Sequence, residues 1–373
     1  VIVGVSTRAL AESARHAGFT AASVDAFGDL DQKQYVESLG IRRDLGRAYS
    51  AAAAAAAARR FAAPAAAYVG NLENHPTAVR RLAEGRRLLG NSPATLVRAR
   101  DFRELAAVVR AAGGRVPTTL LPAEARNLAS GGSWLRKPLR GGGGSGVREW
   151  KRGAPLRAGE LVQERIDGVL ASLSFVADGR RAVLLGLCQG LFGDAAFGAR
   201  LYRYSGSLYP FPADGSLLAR LDAIAQTATR AFGLVGLNGV DFVVRDGEAF
   251  VLELNPRYCA SMELVERSRG LSVFAVHDAA CGGTLPTPPP LARGPTEEVL
   301  GKAVLWARRD IVAGNTRALL DRDDVRDLPF PGERIGRSHP TCTVFARGAD
   351  RKACYAALVA AGAAVEKMIA GDV

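Results

Sequence analysis

The sequence predicts a mixed α/β and α+β chain: an N-terminal unit built on a parallel sheet, a longer central region, and a small C-terminal α+β module. Three observations carry that prediction. Residues 1–5, a helical stretch to about His16 and a second apolar run at 22–26 follow one another in a β-α-β rhythm, which implies parallel strands. Two strand-like runs, 239–244 and 249–254, flank Asp246-Gly247, a hairpin signal. The stretch Leu285-Pro286-Thr287-Pro288-Pro289-Pro290 is a linker by composition and sets off residues 297–373. The expected boundaries are 1–91, 92–285 and 286–373.

The elements follow in order. The opening run Val1-Ile2-Val3-Gly4-Val5 reads as a buried strand rather than a signal peptide. Ser6-Thr7 offers an N-cap for the first helix, and Gly18 ends it. The eight alanines at 51–58 favour helix by propensity and read as a surface helix. After Ser92-Pro93 comes a helix over about 101–112, stopped by Gly113-Gly114. Strands are expected near 118–119 and over 133–138, 161–166, 171–176 and 182–188, with a helix over about 216–232.

Composition narrows the function classes. With 373 residues, 48% hydrophobic and 23% charged, the chain is long enough for two or three domains and is neither disordered, collagen-like nor a disulfide miniature. Its net charge is +12, but the arginines come in ones and twos (Arg42-Arg43, Arg80-Arg81, Arg308-Arg309) with no run of five. That dispersion argues against nucleic-acid binding, and an anionic small molecule fits the charge better. Cys188, Cys259, Cys281, Cys342 and Cys354 form no C-x-x-C pair, and the four histidines are dispersed, so neither a disulfide framework nor a zinc site is expected. The longest uninterrupted apolar stretch is too short to span a bilayer. The expectation is a reduced, cytoplasmic protein without a membrane partner.

Three constellations carry chemistry. Lys137, at the end of a predicted strand, precedes Gly141, Gly142, Gly143, Gly144, Ser145 and Gly146. Consecutive glycines let backbone N–H groups approach an anion closely, and a lysine adds a point charge to the same phosphates. A flexible linker is the competing reading. About twenty residues on, Gln163, Glu164, Arg165 and Ile166 end a strand whose backbone could meet a nucleobase edge. The third is the hairpin. A two-residue loop pairs 245 with 248 and sends Asp241 and Glu253 to opposite faces. A three-residue loop, Asp246-Gly247-Glu248, pairs Phe242 with Leu252 and sets Asp241 opposite Glu253, with Asn255 on the same face. The second register keeps the large apolar side chains together and is the expected one. Two carboxylates and an amide are hard oxygen ligands suited to Mg²⁺ on nucleotide phosphates, and Arg257 is a fork for a carboxylate or acyl phosphate.

In this order the three constellations resemble the ATP-grasp superfamily, in its biotin-carboxylase-related and carboxylate–amine ligase branch. The resemblance covers about residues 92–283 and extends to 1–91 as a preceding α/β domain. It implies a two-lobed ATP-grasp fold, with nucleotide between the lobes, closed by the small C-terminal module. It implies ATP with Mg²⁺, Mn²⁺ being an alternative metal, and an acyl phosphate intermediate attacked by an amine. By position it gives catalytic roles to Lys137 and Arg257. Gly141 through Gly146 and Gln163 through Ile166 would hold the nucleotide, and Asp241, Glu253 and Asn255 the metal. The second substrate is placed near Arg203 or Glu73-Asn74. Small-molecule carboxylate and amine partners follow, a homodimer is compatible, and some relatives accompany methanopterin-linked one-carbon metabolism. A bicarbonate-activating carboxylase and a nucleotide-binding protein without turnover are the alternatives. Two positions depart from the pattern: Phe102 stands where relatives often carry a second lysine, and Leu170 where an acid often holds the ribose.

Overall fold

The computed structural model describes residues 1–126, 128, 131–288, 291 and 298–370. The last two prolines of the expected linker, and the first residue of the expected module, lie outside them. The N-terminal unit is a five-stranded, wholly parallel sheet in the order Glu37–Gly40, Ala22–Asp25, Ile2–Val3, Ala65–Tyr68, Arg87–Leu89. The first helix, Arg8–His16, follows the first strand as the β-α-β rhythm requires. Thr7 does not cap it. Its hydroxyl instead donates to Asp25 Oδ2 at 2.7 Å, tying the ends of two neighbouring strands together.

The alanine helix differs from its sequence reading. Ala51–Ala57 starts on Ser50, whose hydroxyl accepts the Ala53 N–H, but Ala51, Ala54, Ala55 and Ala57 are buried against Val3, Val24 and Ala66. A helix of methyl-only side chains can lie close on a sheet, so the run is one wall of the first core rather than surface.

Three further sheets build the rest, the smallest being the two-stranded pair Ile311–Val312 and Arg334–Ile335. A small antiparallel sheet runs Thr119–Leu120, Glu160–Glu164, Trp134–Pro138, Arg148–Trp150. A large antiparallel sheet of eight strands runs Glu248–Asn255, Val235–Arg245, Val169–Asp178, Ala182–Phe192, Tyr204–Tyr209, Val299–Trp306, Pro340–Gly348, Val325–Arg326. One face is covered by the helix Gly215–Phe232, whose Leu221, Ile224 and Ala228 pack on Leu173, Phe175 and Phe242. The other face meets the helices Met262–Arg269 and Val273–Cys281 and the N-terminal unit.

The sheet crosses the boundary expected at residue 286. Strand Val299–Trp306 pairs antiparallel with Tyr204–Tyr209, setting Ser207 opposite Lys302. The C-terminal residues thus add strands to the central sheet. A proline-rich stretch marks a change of direction as readily as a change of domain. Helix Arg351–Ala370 closes this end, burying Cys354, Leu358, Gly362, Val365 and Ile369. Among the described residues it is the one helix long and apolar enough to cross a membrane by length and composition. The charges Arg351, Lys352, Glu366 and Lys367 sit at its ends, and its buried stripe, spaced three and four residues apart, packs on strands Val299–Trp306 and Pro340–Gly348.

His277 sits inside the packing of helix Val273–Cys281 on the central sheet. Its Nδ1 accepts the Leu237 N–H at 2.9 Å, which requires the neutral ring, and burial lowers its pKa from the ordinary value to about 4. The unfolded chain binds this proton near pH 6.5 and the folded chain does not, so the ring's contribution falls as pH drops from about 6.5 toward 4. Denaturant titrations at about pH 7 and about pH 5 should show the parent losing about 2 kcal/mol more than His277→Gln. Equal losses would show that the ring takes up its proton without penalty.

Candidate active site

The hairpin reaches the expected carboxylate pairing by another route. Its turn has two residues, Asp246 (φ 53°) and Gly247 (φ 76°), both left-handed as a type I′ turn requires. Arg245 pairs with Glu248 and Phe242 with Val251, so the three-residue loop of the sequence reading is not formed. A bulge then places the extra residue Leu252 between Val251 and Glu253, which restores Asp241 opposite Glu253 and Gly239 opposite Asn255. The turn type and the carboxylate face are thus both satisfied, because one unpaired residue changes the register halfway along the strand.

Directly opposed side chains on neighbouring strands stand about 5 Å apart at Cβ. Asn255 completes the face: its Nδ2 donates to Asp241 Oδ2 at 2.8 Å, and its Oδ1 accepts Arg257 Nη2 at 2.9 Å. Burial would raise the Glu253 carboxyl, but Arg100, Lys137 and Arg257 outweigh it and hold the group down at about 2. Burial and the Glu253 charge push Asp241 up to about 7. Of the two carboxyls, Asp241 is therefore the one that takes up a proton first as pH falls.

The small sheet delivers the lysine. Lys137 lies at the end of Trp134–Pro138 and donates from Nζ to Gln163 Oε1 at 3.1 Å. Burial lowers its pKa, while the charges of Glu253 and Asp241 act in the opposite sense. The glycine loop is seated on two other parts of the chain. Tyr204 N–H donates to the Gly143 carbonyl at 3.0 Å, and Asn74 Nδ2 to the Gly141 carbonyl at 3.3 Å. At Gly144 (φ 70°) an added Cβ would lie 1.5 Å from the Tyr202 carbonyl oxygen, so only glycine permits this approach.

The remaining sequence-derived residues divide. The Gln163 amide is spent inside the small sheet, bridging Lys137 and Thr119 Oγ1. The Glu164 carboxylate accepts the Thr118 N–H, Arg165 pairs with Glu149 and Asp167, and Ile166 is buried. A nucleobase edge placed here would meet backbone rather than these side chains. Glu73, only 1% exposed at its side chain, pairs with Arg257 Nη2 at 2.9 Å, and Asn74 touches the glycine loop. Arg203 goes elsewhere: it donates to the Ser338 carbonyl and its guanidinium stands 4.9 Å over the Trp306 ring. Leu170 pairs with Val243 in the large sheet, and the nearby Asp167 is exposed and engaged by Arg165.

The residue the sequence reading missed is Arg100. Its Nη1 lies 3.4 Å from Glu253 Oε2 and donates to the Leu254 carbonyl at 3.0 Å, while Nε donates to Asn74 Oδ1 at 3.2 Å. Of the three arginines around Phe102, Arg98 pairs with Glu104 and Arg103 with Glu124, leaving Arg100 to enter the site. Its place as the C-cap of helix Pro93–Ala99, next to the departure at Phe102, is the signal that could have found it. Around Arg257, four buried atoms lack hydrogen-bond partners among the described residues: Arg257 Nε, Glu73 Oε1, Glu73 Oε2 and Asn71 Oδ1, of which Glu73 Oε1 meets Arg257 only as an ion pair. No group of three or more His, Cys, Asp or Glu side chains among those residues is arranged as a metal cage, so the hairpin offers a partial, oxygen-only set.

The chain is similar to several known proteins. A family model described as an ATP-grasp domain matches residues 99–261. The chain is 27% identical over 211 residues to the carbamoyl phosphate synthase large chain of Deinococcus radiodurans, covering 51% of this chain and 20% of that protein. It is 33% identical over 135 residues to formate-dependent phosphoribosylglycinamide formyltransferase of Synechocystis, covering 36% of this chain and 34% of the relative. The chain thus spans about a third or less of the length of these curated relatives. Among solved structures, biotin carboxylase from Campylobacter jejuni superposes with a TM-score of 0.71 at 17% identity, over 95% of this chain and 89% of that one.

Proposed function

From the premise that residues 99–261 are an ATP-grasp domain, we propose that this chain is an ATP-dependent ligase that activates a carboxylate for attack by an amine. The observation that carries the reading is the Asp241–Glu253–Asn255 face, with Lys137 and Arg257 turned toward it. Its donors are all oxygen or amide, and Glu253 stays ionised despite burial, which fits a hard divalent cation. Asp241, Glu253 and Asn255 would hold Mg²⁺, or Mn²⁺ in its place. Bound there with ATP, the metal would supply positive charge that neutralises the phosphates.

The chain's own groups do the rest. Lys137 and the seated loop 141–146 position the phosphates, the loop through backbone N–H groups. The fork of Arg257, steadied by Glu73 and Asn255, would orient the acid and stabilise its acyl phosphate. An oxygen of the acid attacks the γ-phosphorus and ADP leaves. The amine nitrogen then attacks the acyl carbon, inorganic phosphate leaves and the amine loses its proton. The unpartnered Glu73 Oε2 and Asn71 Oδ1 are acceptors suited to an incoming ammonium group. Catalysis on this reading is positioning and charge neutralisation.

The test is ADP release against pooled acids and amines, with mass spectrometry of the product. Release that requires both an acid and an amine is expected. Bicarbonate-dependent release without an amine would make the protein a carboxylase, and tight ATP binding without release would make it a nucleotide-binding protein.

A further inference from the structure

The ligase chemistry gives the C-terminal residues no part, yet they hold the turn on which the glycine loop rests. Residues 193–203 join strands Ala182–Phe192 and Tyr204–Tyr209. At the far end of this turn the Tyr204 N–H donates to the Gly143 carbonyl, and the Tyr202 carbonyl lies against Gly144. The tip does not hold its own shape. Leu201, immediately before Tyr202, is 57% exposed and left-handed at φ 59°, a conformation that costs a non-glycine residue energy. Something outside the tip imposes it.

The restraint comes from the end of the chain. Tyr355, on helix Arg351–Ala370, donates from its hydroxyl to Asp194 Oδ2 at 2.8 Å. Asp194 passes the tie on: its Oδ1 accepts the Ala196 N–H at 2.9 Å, and its own N–H donates to Ser205 Oγ at 3.1 Å on the other arm of the turn. Arg308 donates from Nη1 and Nη2 to the Ala195 and Ala196 carbonyls at 2.8 and 2.7 Å. Arg203, beside the seat, donates to the Ser338 carbonyl and lies over Trp306. Phe197, buried in the same turn, sets its ring edge-on to Tyr355 at 5.9 Å. The two arms are locked together where Gly193 N–H meets the Arg203 carbonyl at 2.7 Å. A turn fixed in this way opens with its anchors, so loosening one anchor lowers the cost of opening the tip.

We propose that helix Arg351–Ala370, through Tyr355 and Asp194, sets the seat of the glycine loop. The two are positioning residues, acting on the loop through Tyr202 and Tyr204. Their effect on nucleotide rests on the ATP-binding reading above; the mechanical link does not. The alternative is that these contacts only fasten the C-terminal strands to the central sheet. Hydrogen exchange read by mass spectrometry of peptides, with equilibrium binding of MgATP and adenosine, separates the two on the full chain and its Tyr355→Phe, Asp194→Asn and Asp194→Ala variants. Y355F should speed exchange in the peptides carrying the glycine loop and Tyr204 about 3- to 10-fold and weaken MgATP by a similar factor. Adenosine binding and exchange in helix Gly215–Phe232 should not change. D194N, which keeps an acceptor oxygen, should lie nearer the parent than D194A. Parent-like exchange at the glycine loop in both Y355F and D194A, or an equal acceleration in helix Gly215–Phe232, would overturn the proposal. Faster loop exchange in Y355F, with MgATP bound by neither chain, would sustain the link and overturn the ligase reading, so the two failures are distinguishable.

Discussion

Glutamine in place of Glu253 is expected to lower ADP release by about 10²- to 10³-fold, the loss typical of removing one fixed electrostatic contact to a transition state. The substitution keeps the shape and one oxygen donor, so what it removes is charge. In the parent that charge is secured against burial by Arg100, Lys137 and Arg257, and together with burial it raises the pKa of Asp241. In Glu253→Gln three cations would face the pocket with less to oppose them, and the hard-cation set would be reduced to Asp241 and two amides. Turnover would be measured with the acid and amine that support the parent, and circular dichroism would confirm that the fold is retained. Activity within about threefold of the parent would remove Glu253 from the metal set.

The largest effect on stability is expected at Arg8. Its side chain, 2% exposed, binds Glu12 on its own helix, Glu263 beyond the hairpin and Asp327 near the end of the chain. Lys302 adds a second buried cation to Glu263 at 3.0 Å, and Arg326 a further contact to Glu12 at 3.3 Å. Arg8→Met would leave carboxylates from three parts of the chain short of their central cation. Breaking a buried pair by removing one partner costs about 3–5 kcal/mol, far more than the same pair contributes relative to an apolar substitute. Urea denaturation should show that loss as a lower midpoint. A loss below about 1 kcal/mol would mean that water enters and solvates the acids.

These residues also show what a single sequence discloses. The pairing of the two carboxylates was legible because Asp241 and Glu253 are unusual among apolar strand residues, and because Asp246-Gly247 locates the turn. The bulge at Leu252 was not, since a register shift leaves no mark when both registers bury apolar side chains. The glycine loop was legible as a loop, but its seat on Tyr202, Tyr204 and Asn74 depends on contacts between distant segments. Arg100 was hidden among neighbouring arginines, because nothing in the local sequence says which of them turns inward at the end of helix Pro93–Ala99. Arg203 shows the converse, a polar cluster that sequence offers as a site and packing commits to Ser338 and Trp306. The strands after residue 298 could not be assigned to the central sheet, because strand pairing across a proline-rich stretch has no local signature.

The central claim is that the acid passes through an acyl phosphate in this cleft, and isotope transfer tests it most directly. An acid carrying ¹⁸O in both carboxylate oxygens would be turned over with ATP and the amine, and the inorganic phosphate recovered. Attack of the carboxylate on the γ-phosphorus followed by amine attack at carbon leaves one labelled oxygen in each phosphate released. Phosphate free of label, formed alongside the same amide, would contradict the account.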